Sequence, residues 1–152
     1  MENKVVAICL PGDRFSGLWL HNYSITLLHI ARSYRIALFN SESNNIYHVR
    51  ESLLKMVLEC NPKPNYVLWI DSDNIVSPQG FDELIAVLVH PKANEVSMVG
   101  GWYRFMGPDG SLIAAGTRDE WRPTEVEIKE STNLIEVGYI GFGMLLMRMQ
   151  VL

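Results

Sequence analysis

The chain has 152 residues, 48% of them hydrophobic, enough for one buried core, since a domain of this size hides about 68 to 70% of its unfolded surface. Disorder is excluded by that composition. A formal net charge of -4, with no long run of Lys or Arg, excludes nucleic acid as the main partner, because phosphate backbones are bound chiefly through basic patches.

Strand-like and helix-like blocks alternate along the chain, the sequence trace of βαβ units. Met1-Glu2-Asn3-Lys4 leads straight into a strand without a charged n-region, a long apolar h-region or a cleavage site, so a cytoplasmic location is expected. The first strand spans Val5 to Leu10 and is ended by Pro11-Gly12-Asp13. Leu20, Tyr23, Leu27 and Ile30 recur at helical spacing and predict a helix from about Ser16 to Ser33. Arg35 to Phe39 is the second strand, followed by a polar loop, Asn40 to Asn45. Val49, Leu53, Met56, Val57 and Cys60 form the stripe of a second helix, stopped by Asn61-Pro62.

Tyr66-Val67-Leu68-Trp69-Ile70 is a continuous apolar run, as in a strand covered on both faces, and it passes directly into Asp71-Ser72-Asp73-Asn74. Ligands of open α/β sheets gather outside the carboxyl ends of such strands, so Asp71 and Asp73 are expected to meet one. Carboxylates at i and i+2 project to one side of an extended chain, but their Cα atoms lie roughly 6.6 Å apart. One ion is then not gripped equally by both. Mg²⁺ and Mn²⁺ favour oxygen ligands, and Mg²⁺ takes one or two carboxylates with water and phosphate completing the shell. Asp73 is assigned mainly to the metal and Asp71 to a ribose hydroxyl or a metal-bound water. The bland alternative, that the pair caps the next helix, is weakened by Ser77-Pro78, which supplies an N-cap and a first helical residue of its own. An EF-hand loop from Asp71 fails, because Ile75 and Val76 fall where a ligand and a glycine are required.

Phe81, Leu84, Ile85 and Leu88 mark the third helix, ended by His90-Pro91, and Val96 to Val99 is a short strand. The pattern then becomes antiparallel. Trp102 to Phe105 and Leu112 to Ala115 flank the turn Gly107-Pro108-Asp109-Gly110, Val126 and Ile128 read as an exposed strand, Ile135 to Val137 starts another, and Met144 to Arg148 is the last. Val137 to Met147 is too short to span a bilayer, which takes about 20 residues. Cys9 and Cys60 lack metal-site spacing and are read as buried reduced thiols. His21, His29, His48 and His90 share no ligand spacing and are read as structural or surface residues. No Walker loop, Rossmann fingerprint or Gly-x-Ser-x-Gly elbow is present.

Tyr66 to Pro78 resembles the Asp-x-Asp region of nucleotide-sugar-dependent glycosyltransferases with the A-type fold, closest to family-2-like and Anp1-like enzymes. The resemblance spans about Val5 to Arg148, with only the Asp-x-Asp block sharply diagnostic. It implies a three-layer α/β/α sandwich with a mostly parallel mixed sheet, one domain over residues 1–152 divided into a nucleotide-binding half (1–100) and an antiparallel acceptor-side half (101–152). It also implies Mn²⁺ or Mg²⁺ on the diphosphate of a UDP-sugar or GDP-sugar, and transfer of the sugar to a hydroxyl of a glycan, lipid or protein. Pro11, Gly12 and Asn40 fall where such enzymes receive base and ribose. Arg50, on the helix before the Asp-x-Asp strand, is placed to face the nucleotide, since a guanidinium suits phosphate or a base edge. Ser72 lies within the motif, Trp102 after Gly100-Gly101 is a sugar-stacking candidate, and Gly141 belongs to a glycine-rich loop near donor sugar and acceptor.

The departure from the family pattern concerns the catalytic base and a frequent metal-binding His, which in similar enzymes follow the Gly-rich strand, whereas this sequence stops at Leu152. Glu120, Asp119 and Glu136 are the substitutes on offer. The C-terminal part is expected to be incomplete or completed by another polypeptide or an oligomer, and donor binding is expected ahead of transfer. A noncatalytic nucleotide-sugar-binding module is the alternative. A haloacid-dehalogenase-type phosphatase ranks third, because its motif lies nearer the N-terminus and continues to Thr or Val where Ile75 stands.

Overall fold

A computed structural model of the protein describes residues 4–90, 95–101, 104–107, 110–113, 115–116 and 136–152. The chain forms two compact units, Met1–Gly101 with Phe142–Leu152, and Trp102–Gly141. In the first unit β1 (Val5–Pro11), α1 (Gly17–Ile30), β2 (Arg35–Ser41), α2 (Ile46–Glu59), β3 (Tyr66–Ile70), α3 (Pro78–Val89) and β4 (Met98–Gly100) follow in order. The second unit contributes the pairs β5 (Arg104–Gly107) with β6 (Gly110–Ile113) and β7 (Ala115–Gly116) with β8 (Tyr139–Ile140). β9 (Met144–Arg148) then returns to the first unit.

The main sheet has the order β2-β1-β3-β9-β4. β1 pairs parallel with β2 and with β3, aligning Ile8 with Leu38 and with Leu68, while β9 runs antiparallel to both β3 and β4. Every residue of β1 and β3 is buried, which is why both segments read as unbroken apolar runs. One face of the sheet carries Val6, Ile8, Leu10, Tyr66, Leu68, Ile70 and Leu146, joined in one cluster to Trp19, Tyr23 and Ile30 of α1 and to Phe81, Leu84, Ile85 and Leu88 of α3. The alternate residues Ala7, Cys9, Val67, Trp69 and Leu145 are buried on the other face. There α2 lies on β1 and β2 and buries Val49, Leu53 and Val57. Each such side chain contributes roughly 1.5–3 kcal/mol relative to exposure. Helices cover both faces, so the three-layer α/β architecture with a mostly parallel mixed sheet holds.

The helix starts follow from local chemistry. Ser16 accepts from the Trp19 amide, Asn45 from Tyr47, and Ser77 from Gly80 with Pro78 in the first turn, each satisfying a donor that a helix N-terminus leaves open.

Several boundaries differ from the sequence expectation. β2 continues through Asn40 and Ser41, which pair with Leu10 and Pro11, so the expected polar loop begins later, at Glu42. β4 starts at Met98 rather than Val96, because the Val96 and Ser97 carbonyls are taken by Arg148. Met144–Arg148, expected in an acceptor-side half, fills the main sheet instead. The strand expected from Ile135 to Val137 appears at Tyr139–Ile140, and Ile135, like Val126 and Ile128, lies outside the described residues. Cys9 is buried as expected, but Cys60 is only half-buried, as the residue that ends α2.

Candidate functional site

The three parallel strands end at one edge of the sheet, where Gly12, the segment Ser41–Asn44 and the turn from Asp71 converge. The Gly12 amide donates to the Ser41 carbonyl at 2.9 Å. Asn40 donates through Nδ2 to the carbonyls of Leu10 (2.7 Å) and Gly12 (2.9 Å), so its side chain ties the first loop to the second strand. Gly12 sits at φ +120°, and a Cβ there would lie 3.3 Å from Ser72 Oγ. The first loop is thereby also packed against the Asp-x-Asp turn. Between the first two loops opens a cleft of about 370 Å³ lined by Gly12, Asp13, Glu42, Ser43 and Asn44.

β3 stops at Ile70 and the chain turns at once, with the Asn74 amide donating to the Asp71 carbonyl at 3.2 Å. The extended geometry expected to put Asp71 and Asp73 on one side therefore does not hold, because Ser72 and Asp73 are turn residues. The Asp71 backbone is held twice more: its amide donates to the Gly143 carbonyl at 3.1 Å, and its carbonyl accepts from Trp19 Nε1 at 3.2 Å. The Asp71 carboxylate faces Arg50, whose single Nη2 nitrogen lies 3.2 Å from Oδ2 and 3.4 Å from Oδ1. Side-chain exposures of 28% for Arg50 and 22% for Asp71 put this pair between surface and interior. The Arg50 guanidinium also lies 4.3 Å from the centroid of the Phe142 ring, which in turn meets Trp69 edge-on at 5.7 Å. Its Nε is buried without a hydrogen-bond partner.

Burial pushes the Asp71 carboxyl above its usual range; Arg50 pulls it down by charge and hydrogen bond, and Asp73 pushes it further up. The desolvation outweighs the partner because Arg50 reaches the carboxylate through one nitrogen rather than a bidentate fork. Asp73, by contrast, is exposed and accepts from Asn74 Nδ2 at 2.7 Å.

Among the described residues no three His, Cys, Asp or Glu side chains lie close enough together to hold a metal. A hard cation needs less than that when phosphate and water complete its shell, and the exposed Asp73 carboxylate fits such a ligand, with Asp71 adjacent but already paired. Pro11 is the buried last residue of β1, and Ser72 is half-buried beside Gly12. Gly141 and Glu136 belong to the second unit, and Trp102, Asp119 and Glu120 lie outside the described residues. His29 meets Asp82 at 2.8 Å and His48 lies 3.8 Å from Glu51, in keeping with structural and surface roles. Trp19 and Phe142 were not evident from the sequence. A Trp one turn past a Ser N-cap, and a Phe within a run of glycines, carried no signal of where their rings would lie.

Element order, parallel strand ends and the convergent loops define a Rossmann-like α/β fold. No protein-family model and no curated protein matches the sequence. Among solved structures the chain is similar to A197 from STIV, with 19% identity over 95% of this chain and 65% of that one, at a TM-score of 0.59. It is also similar to a glycosyltransferase involved in the glycosylation of the major capsid of PBCV-1, with 13% identity over 96% of this chain and 61% of that one, at a TM-score of 0.51. The chain thus spans somewhat under two thirds of each of these structures, and the likeness is one of fold. No helix among the described residues is long and apolar enough to cross a membrane.

Proposed function

We propose that the protein binds a nucleoside-diphosphate sugar at the carboxyl edge of its parallel strands and transfers the sugar to a hydroxyl acceptor. The observation that carries this reading is the convergence of Gly12, Glu42–Asn44, Arg50 and the Asp71–Asp73 turn at that edge, where open α/β sheets receive nucleotides. The likeness in fold to a glycosyltransferase supports it. In the cleft between the first two loops, the carboxylates of Asp13 and Glu42 suit the hydroxyl and N–H donors of a nucleoside and not its phosphates. The diphosphate belongs beside Arg50 and Asp73, with Asp73 as the carboxylate that holds Mn²⁺ or Mg²⁺. A bound cation there supplies Lewis-acid stabilisation of the leaving diphosphate.

In the transfer the bond from the anomeric carbon to the phosphate oxygen breaks and a bond to the acceptor oxygen forms. The acceptor proton passes to a base and the nucleoside diphosphate departs. Arg50 would orient the diphosphate, and the Gly12 backbone lets the nucleoside approach closely. A phosphatase using Asp71 as nucleophile is disfavoured, because that carboxylate is paired with Arg50.

The test is a thermal-shift panel of UDP-sugars and GDP-sugars with Mn²⁺. A ligand at 100 times its Kd adds about 2.7 kcal/mol of stability. We expect at least one nucleotide to stabilise the protein and the effect to vanish in Asp73→Ala; failure of every nucleotide in the presence of Mn²⁺ refutes the reading.

A further inference from the structure

We propose that Arg50 is an exchangeable counter-ion, which holds Asp71 in the empty site and is surrendered to the diphosphate when nucleotide and cation enter, passing Asp71 to the metal. This rests on the donor-binding reading above and concerns how the site fills.

Three features of the pair favour exchange over a permanent ion pair. Arg50 touches both Asp71 oxygens through one nitrogen at 3.2 and 3.4 Å, longer than the roughly 2.7–2.9 Å of a strong charge-assisted bond and without the two parallel bonds a guanidinium makes when it docks on a carboxylate. Its Nε is buried and unpartnered, so the guanidinium keeps an unused donor that a phosphate oxygen would satisfy. Its Cζ lies over the Phe142 ring, 4.3 Å from the centroid, a contact that carries the cation without a directional hydrogen bond.

The two partners are also unequally anchored. Asp71 is fixed by the backbone bonds to Gly143, Asn74 and Trp19, whereas Arg50 reaches the carboxylate along a flexible side chain from the first half of α2. The residue that moves is therefore Arg50, and its planar donor set is matched to phosphate as well as to carboxylate.

Electrostatics makes the exchange reciprocal. While Arg50 occupies Asp71, a divalent cation meets a carboxylate already neutralised and a guanidinium beside it. A diphosphate that draws Arg50 away restores the anionic ligand. Nucleotide and cation then help one another bind, and each raises the other's affinity by the same factor.

The experiment measures Mn²⁺ binding to the full chain by the electron-paramagnetic-resonance signal of free Mn²⁺, with and without UDP or GDP. Arg50→Met should bind Mn²⁺ alone about fivefold or more tightly than wild type, the lower end of typical coupling. The gain should disappear in Arg50→Met with Asp71→Asn, and Arg50→Lys, which keeps the charge beside Asp71, should show less of the gain in affinity for Mn²⁺ alone than Arg50→Met. The increase in Mn²⁺ affinity on adding nucleotide should be smaller in Arg50→Met than in wild type. Circular dichroism verifies folding, and Arg50→Gln replaces Arg50→Met if the latter does not fold. Unchanged Mn²⁺ affinity in the neutral variant overturns the exchange while leaving donor binding intact, provided that nucleotide still stabilises wild type; nucleotide that stabilises neither protein overturns both.

Discussion

Gly12→Ala tests whether the loops at the strand ends are held as tightly as their contacts imply. Gly12 adopts φ +120°, a conformation that costs a residue with a side chain about 1–3 kcal/mol. The added Cβ would stand 3.3 Å from Ser72 Oγ and 3.5 Å from Ser72 Cβ, so Ser72 must yield slightly. Against this, alanine restricts the unfolded chain and returns about 0.4–1 kcal/mol. The net expectation is a loss of about 1–2 kcal/mol, or roughly 3–6 °C in Tm for a chain of this length. Urea denaturation followed by tryptophan fluorescence measures it.

Torsion and crowding separate in the double variant. Ser72→Ala removes the closer contact and leaves φ unchanged, so it should recover only a minor part of the loss. A neutral or stabilising Gly12→Ala would refute the positive φ, and full recovery by Ser72→Ala would show that crowding and not torsion sets the cost.

Asn40→Ala removes two hydrogen bonds to the carbonyls of Leu10 and Gly12, worth about 0.5–1.5 kcal/mol each. Chemical denaturation should show a loss of about 1–2 kcal/mol, and thermal shift should show weaker nucleotide stabilisation; an unchanged protein would deny Asn40 its role as a tie. Burial pushes the Cys9 thiol up to about 12 and the Tyr23 hydroxyl up to about 12. Both folded values are raised, so the folded state keeps protons that the unfolded chain releases. This contribution is intact below pH 9, where the unfolded thiol begins to ionise, and is lost as pH rises toward 12. A Tm series from pH 8 to 11 should fall less steeply for Cys9→Val than for wild type, and parallel slopes would contradict the burial of that thiol.

The central strand was legible because its chemistry is local: Tyr66–Ile70 contains no polar residue, and only a strand covered on both faces tolerates that. Ser77-Pro78 likewise announced the start of α3 by capping alone. The pairing of Arg50 with Asp71 was not legible, since it depends on how α2 lies against the sheet. The stripe Val49, Leu53 and Val57 leaves Arg50 at the border of the buried face, where solvent, nucleotide and Asp71 are all within reach of a long side chain. The turn after Ile70 is hidden in the sequence for a different reason. An Asp-x-Asp spacing reads equally well as extended chain or as turn, and the choice is made by bonds from Trp19, Asn74 and Gly143, two of them distant in sequence. The polarity of Asn40 suits a loop, yet its side chain satisfies the carbonyls of Leu10 and Gly12.

The placement of β9 between β3 and β4 has a consequence for synthesis on the ribosome. Until Met144–Arg148 emerge, Tyr66–Ile70 presents a bare row of amides and carbonyls along one side of a wholly buried strand, an invitation to pair with a neighbouring nascent polypeptide. Closure of the central layer must wait for β9, which follows β3 only after β4 and the whole second unit, so this fold cannot be assembled progressively from its amino end. Forms shortened before Met144 should be recovered as aggregates rather than as smaller folded proteins.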